Sequence, residues 1–153
     1  MGKMSKPESK YAQYIQKPQT QPLQVDKRLY DTVWAETGGG SPEEVSAAAS
    51  TFLHNAKSKG YEKSLHSSTA YRRKSKEYVK AETGALNSQE KALYQRNAQI
   101  ISHQVQNPDK IVPYEKFENV KVFGDPSWAK DMSGYHDIGR QRFYWGEKHG
   151  TGN

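Results

Sequence analysis

The sequence contains no cysteine and no long apolar segment. The missing thiols exclude disulfide bonds, cysteine nucleophiles and thiolate metal sites. No apolar run approaches the roughly 20 residues of a membrane-spanning helix, and the amino terminus lacks the apolar core of a signal peptide. Hydrophobic residues make up only 33% of the 153 residues, and the mean hydropathy is -1.04. We therefore expect a single domain, with part of the chain outside its core.

Two familiar kinds of site are also missing. The five histidines lack the paired spacing of metal ligands, so neither a metal nor another cofactor is expected. Gly38 to Gly40 do not form a phosphate loop, because no Lys-Ser or Lys-Thr follows them. What the chain does carry is a formal net charge of +6, which predicts an acidic partner such as nucleic acid, anionic lipid or an anionic cell-wall polymer.

A short helix with an unusual glutamate is predicted after Asp26, which can cap its start. Leu29 and Val33 recur at helical spacing, and Gly38 can end the helix without steric cost. Glu36 falls on the same apolar stripe, in the last turn. The negative end of the helix dipole and the loss of hydration both favour its protonated form, which a general acid requires. The alternative is a solvated surface glutamate that rotates outward.

The most regular helical pattern follows directly. Ser41 and Glu44 have the spacing of a capping box, with proline at the first helical position, and Gly60 ends the segment. Between them the apolar residues recur at helical spacing: Val45, Ala48, Ala49, Phe52, Leu53 and Ala56. The small alanines predict that the preceding helix packs closely against this one across the turn at Gly38 to Gly40, the glycine turn.

Two more helices are predicted before Pro108. The segment 69–82 is basic with few apolar anchors, so it could grip a phosphate backbone, although a solvated helical face is favoured over nucleic-acid binding. Ser88 is predicted to cap the next helix, whose core residues are Tyr94, Ala98, Ile101 and Val105.

The last third of the chain is rich in aromatic residues and changes character. It predicts extended segments or loops, a short helical turn that opens at Asp125, and a strand within residues 135–145. Such aromatics suit the faces of sugar rings, but they could equally form the core. The overall prediction is an α+β fold, mainly α, over residues 25–146, with a flexible tail at 147–153. Residues 1–24 are predicted to be an arm that is either disordered or ordered along a partner protein.

Four short motifs, in this order, resemble the cell wall hydrolase family that includes the spore-cortex-lytic enzymes. They are Ala35-Glu36 with its glycines, the helix end Phe52-Leu53-His54-Asn55-Ala56, the Lys116-Phe117-Glu118 loop and the terminal run 138–144. The resemblance covers about residues 25–145. It implies a lysozyme-like fold and cleavage of peptidoglycan glycan strands as a lytic transglycosylase, with Glu36 at the position of the family's one catalytic glutamate.

The chemistry expected from this resemblance needs only one carboxyl group. Glu36 would protonate the leaving oxygen as acid, the muramic acid's own hydroxyl would attack, and Glu36 would then serve as base. Asp31 is predicted on another helix face, and Asp125 or Asp137 would become a partner only if the distal loops fold back. The expected substrate-binding residues are Phe117, Gln141, Phe143, Tyr144 and Tyr114.

Two function classes follow. The first is a peptidoglycan-cleaving enzyme, and the second is a structural or adaptor protein of a virion that retains the fold and binds an acidic partner or assembly through its basic surface and arm. The second stays open because Gly38 and Gly40 stand where the family has an arginine and a second glutamate after the catalytic position, and Gln141 stands where it has a terminal histidine. The lack of an export signal suits a bacteriophage enzyme of cell lysis, carried in the virion or released from the host cytoplasm to the periplasm.

Overall fold

The computed structural model describes residues 23–148, which form a mainly helical domain with one small antiparallel sheet. Its α-helices are α1 (Lys27–Thr37), α2 (Pro42–Lys59), α3 (Tyr61–His66), α4 (Thr69–Arg72), α5 (Lys76–Glu82), α6 (Ser88–Gln106) and α7 (Val120–Phe123). Its strands are β1 (Lys116–Glu118), β2 (Met132–Ile138) and β3 (Gln141–Glu147), and 3₁₀ turns cover Pro108–Lys110 and Ser127–Asp131. The predicted α+β, mainly α class is confirmed. Most of the predicted arm and tail, residues 1–22 and 149–153, lies outside the described residues.

Local capping residues set the ends of α1 and α2. The Asp26 side chain accepts the Arg28 N–H at 3.1 Å, and the Gly38 N–H donates to the Trp34 carbonyl at 2.7 Å. Ser41 Oγ accepts the Glu44 N–H at 3.1 Å, as a helix cap should. The predicted capping box is nevertheless only half formed, because the Glu44 side chain is buried and accepts a backbone N–H from the β2–β3 turn instead.

The hydrophobic core lies between α1, α2 and α6 and extends beneath the sheet. The buried residues of the main cluster are Leu29, Val33, Val45, Ala47, Ala48, Ala49, Phe52, Leu53, Leu65, Ile101, Val105, Tyr114 and Phe143. The helix α1 packs on α2 across the glycine turn, as predicted. Leu23 also packs against this core, and its N–H donates to the Val105 carbonyl at 3.3 Å. The packed domain thus includes a residue that was assigned to the arm.

The middle of the chain differs from the prediction. The single helix expected over 69–82 is wrong, because α4 ends at Arg72 and Lys74 has a positive φ of 52° that no helix accommodates. Ser75 then starts α5 by accepting the Tyr78 N–H at 3.2 Å. Ser88 is the first residue of α6 and not its cap. Asn87 caps α6 and forms a complete capping box with Glu90.

The sheet has the strand order β1-β3-β2, with both pairs antiparallel. The single strand predicted within 135–145 is wrong, because the segment is the core of a hairpin that turns at Gly139 and Arg140. Gly139 has a φ of 62°, which favours glycine at this tight turn. The helical turn expected at Asp125 begins two residues later, as the 3₁₀ turn Ser127–Asp131. Across the described stretch, none of the helices has the length and apolarity to cross a membrane.

Candidate active site

A cleft of about 640 Å³ separates the end of α1 from β1 and the loop after it. Its floor and walls come from α1, α2, the segment that joins α3 to α4, and the region from β1 to the second 3₁₀ turn. The lining residues are Glu36, Thr51, Phe52, Ser67, Ser68, Thr69, Ala70, Glu115, Lys116, Phe117, Glu118, Phe123 and Trp128. The cleft therefore combines carboxylates with aromatic rings.

Glu36 is the next-to-last residue of α1 and lies half-buried in this cleft. Burial raises the pKa of its carboxyl group above the ordinary value of 4.5, and the charge of Glu118 adds to the rise. A hydrogen bond from Ser68 and the charge of Arg72 oppose it, and burial prevails. The direction is the one that the apolar stripe of α1 predicted. A carboxyl group of this kind can hold a proton closer to neutral pH.

Ser68 determines how the Glu36 carboxyl group is held. Its Oγ donates to Glu36 Oε2 at 2.5 Å and accepts the Tyr71 N–H at 3.1 Å as the cap of α4. Because the hydroxyl proton is committed to Oε2, the carboxyl proton of Glu36 belongs on Oε1. Ser68 is 32 residues away from Glu36 in the chain, so no local pattern pointed to it.

Two side chains of α6 hold the turn at Gly38 to Gly40, which follows α1. Arg96 Nη2 donates to the Gly40 carbonyl at 2.5 Å, and Asn97 Nδ2 donates to the Gly38 carbonyl at 3.3 Å. A Cβ at Gly39 would lie only 2.9 Å from Leu93 Cδ1, so a larger residue would require the Leu93 side chain to shift. The glycines thus permit close packing that fixes the end of α1.

The carboxylates considered as partners of Glu36 are engaged elsewhere. Asp31 is buried, pairs with Lys27 at 2.9 Å and accepts the Tyr94 hydroxyl at 2.7 Å, in line with its predicted place on another helix face. Asp137 and Asp125 both pair with Arg142, at 2.7 and 3.5 Å.

Glu118 on β1 is the carboxylate that shares the cleft and acts on Glu36 through its charge. The sequence placed Glu118 in a family-like motif without giving it a role. The resemblance to the family included the Lys116-Phe117-Glu118 motif. The position of β1 next to Glu36 depends on the tertiary fold, which the motif does not predict.

The five predicted substrate-binding residues separate into two groups. Phe117 lines the cleft, and Gln141 lies beside Glu36, to whose carbonyl its Nε2 donates at 3.5 Å. Phe143, Tyr144 and Tyr114 are 0%, 2% and 5% exposed, so their rings have no free face for a sugar. Their assignment to substrate stacking is therefore corrected: Phe143 packs behind Phe117, with ring centroids 5.2 Å apart, and supports the cleft from beneath.

Two aromatic residues without a predicted substrate role form the outer wall of the cleft. Phe123, at the end of the short helix α7, is 72% exposed although its ring is large and apolar. Trp128 packs edge-on against Tyr144 at 4.9 Å, with the Lys116 ammonium 4.8 Å from its ring centroid. Exposed aromatic rings that line a cleft are typical of a binding surface.

Within residues 23–148, no cluster of three or more His, Asp or Glu side chains could hold a metal ion. Comparison of the chain with protein-family models, with curated proteins and with solved structures gave no match. The resemblance to the cell wall hydrolases therefore stays a prediction, and what this cleft does must follow from its own chemistry.

Proposed function

We propose that the protein cleaves the glycan strands of peptidoglycan, with Glu36 as general acid and then general base, and that the domain is lysozyme-like. The observation that carries the proposal is a half-buried glutamate of raised pKa in an aromatic cleft. A glycosidic bond breaks when its leaving oxygen receives a proton, and a glutamic acid that remains protonated in an apolar site supplies it. Phe117 and Phe123 offer ring surface at the cleft, which suits the apolar faces of sugar rings.

In this mechanism Glu36 gives one proton to the substrate and takes one back. Ser68 holds Glu36 Oε2, so Oε1 gives its proton to the glycosidic oxygen. As the bond to that oxygen breaks, positive charge develops on the sugar ring, and the Glu36 carboxylate and nearby Glu118 both stabilise it electrostatically. The hydroxyl oxygen of the muramic acid then attacks the anomeric carbon, and the Glu36 carboxylate takes the proton of that hydroxyl. The cycle returns Glu36 to its acid form and needs no water as nucleophile.

A zymogram against purified peptidoglycan tests the proposal. The wild-type protein is expected to clear the substrate, and Glu36→Gln is expected to abolish clearing while its circular dichroism and thermal midpoint show an intact fold. Glu82→Gln is the matched control, because Glu82 is also the last glutamate of a helix but is exposed and pairs with Lys74 at 3.2 Å outside the cleft. Full activity of a folded Glu36→Gln variant would remove Glu36 from the mechanism.

A further inference from the structure

Another buried carboxylate lies beyond the turn at Gly38 to Gly40, at the start of α2. Glu44 is 1% exposed, and its Oε1 accepts the backbone N–H of Arg140 at 3.1 Å. Its Oε2 is buried and receives no hydrogen bond from the described residues, although Arg140 Nη2 lies 3.5 Å away. A carboxylate is costly to take out of water, so a glutamate in this position calls for a reason other than helix capping.

The β2–β3 turn fits closely around this side chain. Gly139 has the positive φ of 62° noted above, and a Cβ on it would collide with Glu44 Oε1. A Cβ at Gly40 would lie 3.1 Å from the same carboxyl group. The absence of a Cβ at Gly139 and at Gly40 leaves space for the Glu44 carboxyl group, so the turn fits closely against the start of α2.

The same turn and the first residue of β3 also contact the end of α1. Arg140 Nη2 donates to the Thr37 carbonyl at 2.6 Å, and Gln141 Nε2 donates to the Glu36 carbonyl at 3.5 Å. The last carbonyls of a helix have no partner within the helix and need donors from outside. Here one donor comes from Arg140 in the turn that Glu44 contacts, and the other comes from Gln141, the first residue of β3. They reach the carbonyls of Thr37 and Glu36.

We propose that Glu44 and Arg140 are a positioning pair that fixes the end of α1, and with it the carboxyl group of Glu36, in the orientation that acid catalysis requires. This inference rests on the proposed function of Glu36. Neither residue touches the substrate; Glu44 acts on Arg140, and Arg140 acts on α1. Small displacements of an acid from its proton acceptor reduce the rate strongly while substrate binding, which depends on the cleft walls, continues.

The test compares Glu44→Gln and Arg140→Ala with the matched control Glu43→Gln, which removes the same charge from the exposed neighbouring position. For each variant of the full chain, kcat and KM are measured on soluble glycan fragments, and the Glu36 carboxyl group is titrated by ¹³C NMR. Both test variants are expected to lose kcat by roughly 10- to 100-fold with little change in KM. Their Glu36 pKa is expected to fall toward the ordinary value, since a released helix end lets water reach the carboxyl group. The control should match the wild type in both readouts.

Each outcome decides the matter. Test variants that match Glu43→Gln in kcat and in Glu36 titration would overturn the proposal. If Glu44→Gln does not fold, Arg140→Ala decides alone, because its side chain is largely exposed and its removal leaves the bond from the Arg140 N–H to Glu44 in place. If the wild type cleaves no glycan, the proposed function fails, and the Glu36 titration still shows whether the pair positions this carboxyl group.

Discussion

Replacing Ser68 by alanine tests the hydrogen bond that holds the Glu36 carboxyl group. A hydrogen bond to a charged group contributes about 1.5 to 3 kcal/mol, and this one, at 2.5 Å, favours the ionised form of Glu36. We take the lower end, about 1.5 kcal/mol, because water can partly replace the hydroxyl. This corresponds to roughly a tenfold decrease in the ionisation constant of Glu36. Ser68→Ala should therefore raise the pKa of Glu36, and the alkaline limb of the pH–rate profile should move to higher pH.

The assay is the pH dependence of kcat/KM together with a ¹³C titration of the Glu36 carboxyl group. Ser68 also caps α4, so the substitution costs stability of about 1 kcal/mol that is unrelated to catalysis. Ser75→Ala is the control, since it removes the equivalent cap of α5 at a residue outside the cleft and should leave the pH profile unchanged. A Ser68→Ala variant whose alkaline limb stays in place, or moves to lower pH, would refute the role assigned to this hydrogen bond.

Three more predictions concern the same cleft. Burial raises the folded-state pKa of Glu36, so as the pH rises from the unfolded-state pKa through the folded-state pKa the unfolded chain ionises first, and the folded state loses stability. Glu36→Gln should therefore be more stable than the wild type at pH 7 but not at pH 4, as thermal melts at both pH values would show. Phe123→Ala should raise KM roughly two- to tenfold, for the loss of about 0.5 to 1.5 kcal/mol of ring contact, with an unchanged thermal midpoint. Glu118→Gln removes a negative charge that raises the pKa of Glu36, so the alkaline limb should move to lower pH while activity persists; complete inactivity of this variant would instead indicate a two-carboxylate mechanism.

The elements that the sequence predicted well are those whose ends are decided within a few residues. Asp26, Gly38, Ser41 and Gly60 each cap α1 or α2 through bonds to neighbours in the chain, so the prediction did not depend on the tertiary fold. The division between α4 and α5 was local as well, but the weight given to helix-forming residues hid the cap at Ser75. Ser75 is a good N-cap residue, but the helix-forming residues around it favoured one continuous helix in the prediction.

The parts that the sequence did not predict depend on contacts between distant segments. Consecutive residues of a strand face opposite sides of the sheet, and only the tertiary packing shows that both sides are covered here. Phe143 lies in the main core, whereas Tyr144 is covered by Trp128 and Tyr135. In the same way, the partners of Glu36 at Ser68 and Glu118 come from loops and strands far along the chain. Glu44 fitted a capping pattern, but burial under the β2–β3 turn gives it a different partner.

The measurement that tests the central claim most directly is the mass of the fragments released from purified peptidoglycan by the wild type and by Glu36→Gln. The account predicts glycan fragments with anhydromuramic ends, lighter by one water than those of a hydrolytic lysozyme, and no fragments from the folded variant. Fragments with ordinary reducing ends would contradict the attack by the substrate's own hydroxyl and make Glu118 the first base to test. Absence of any fragment from the wild type, or equal release by the variant, would contradict the assignment of Glu36 as the catalytic acid.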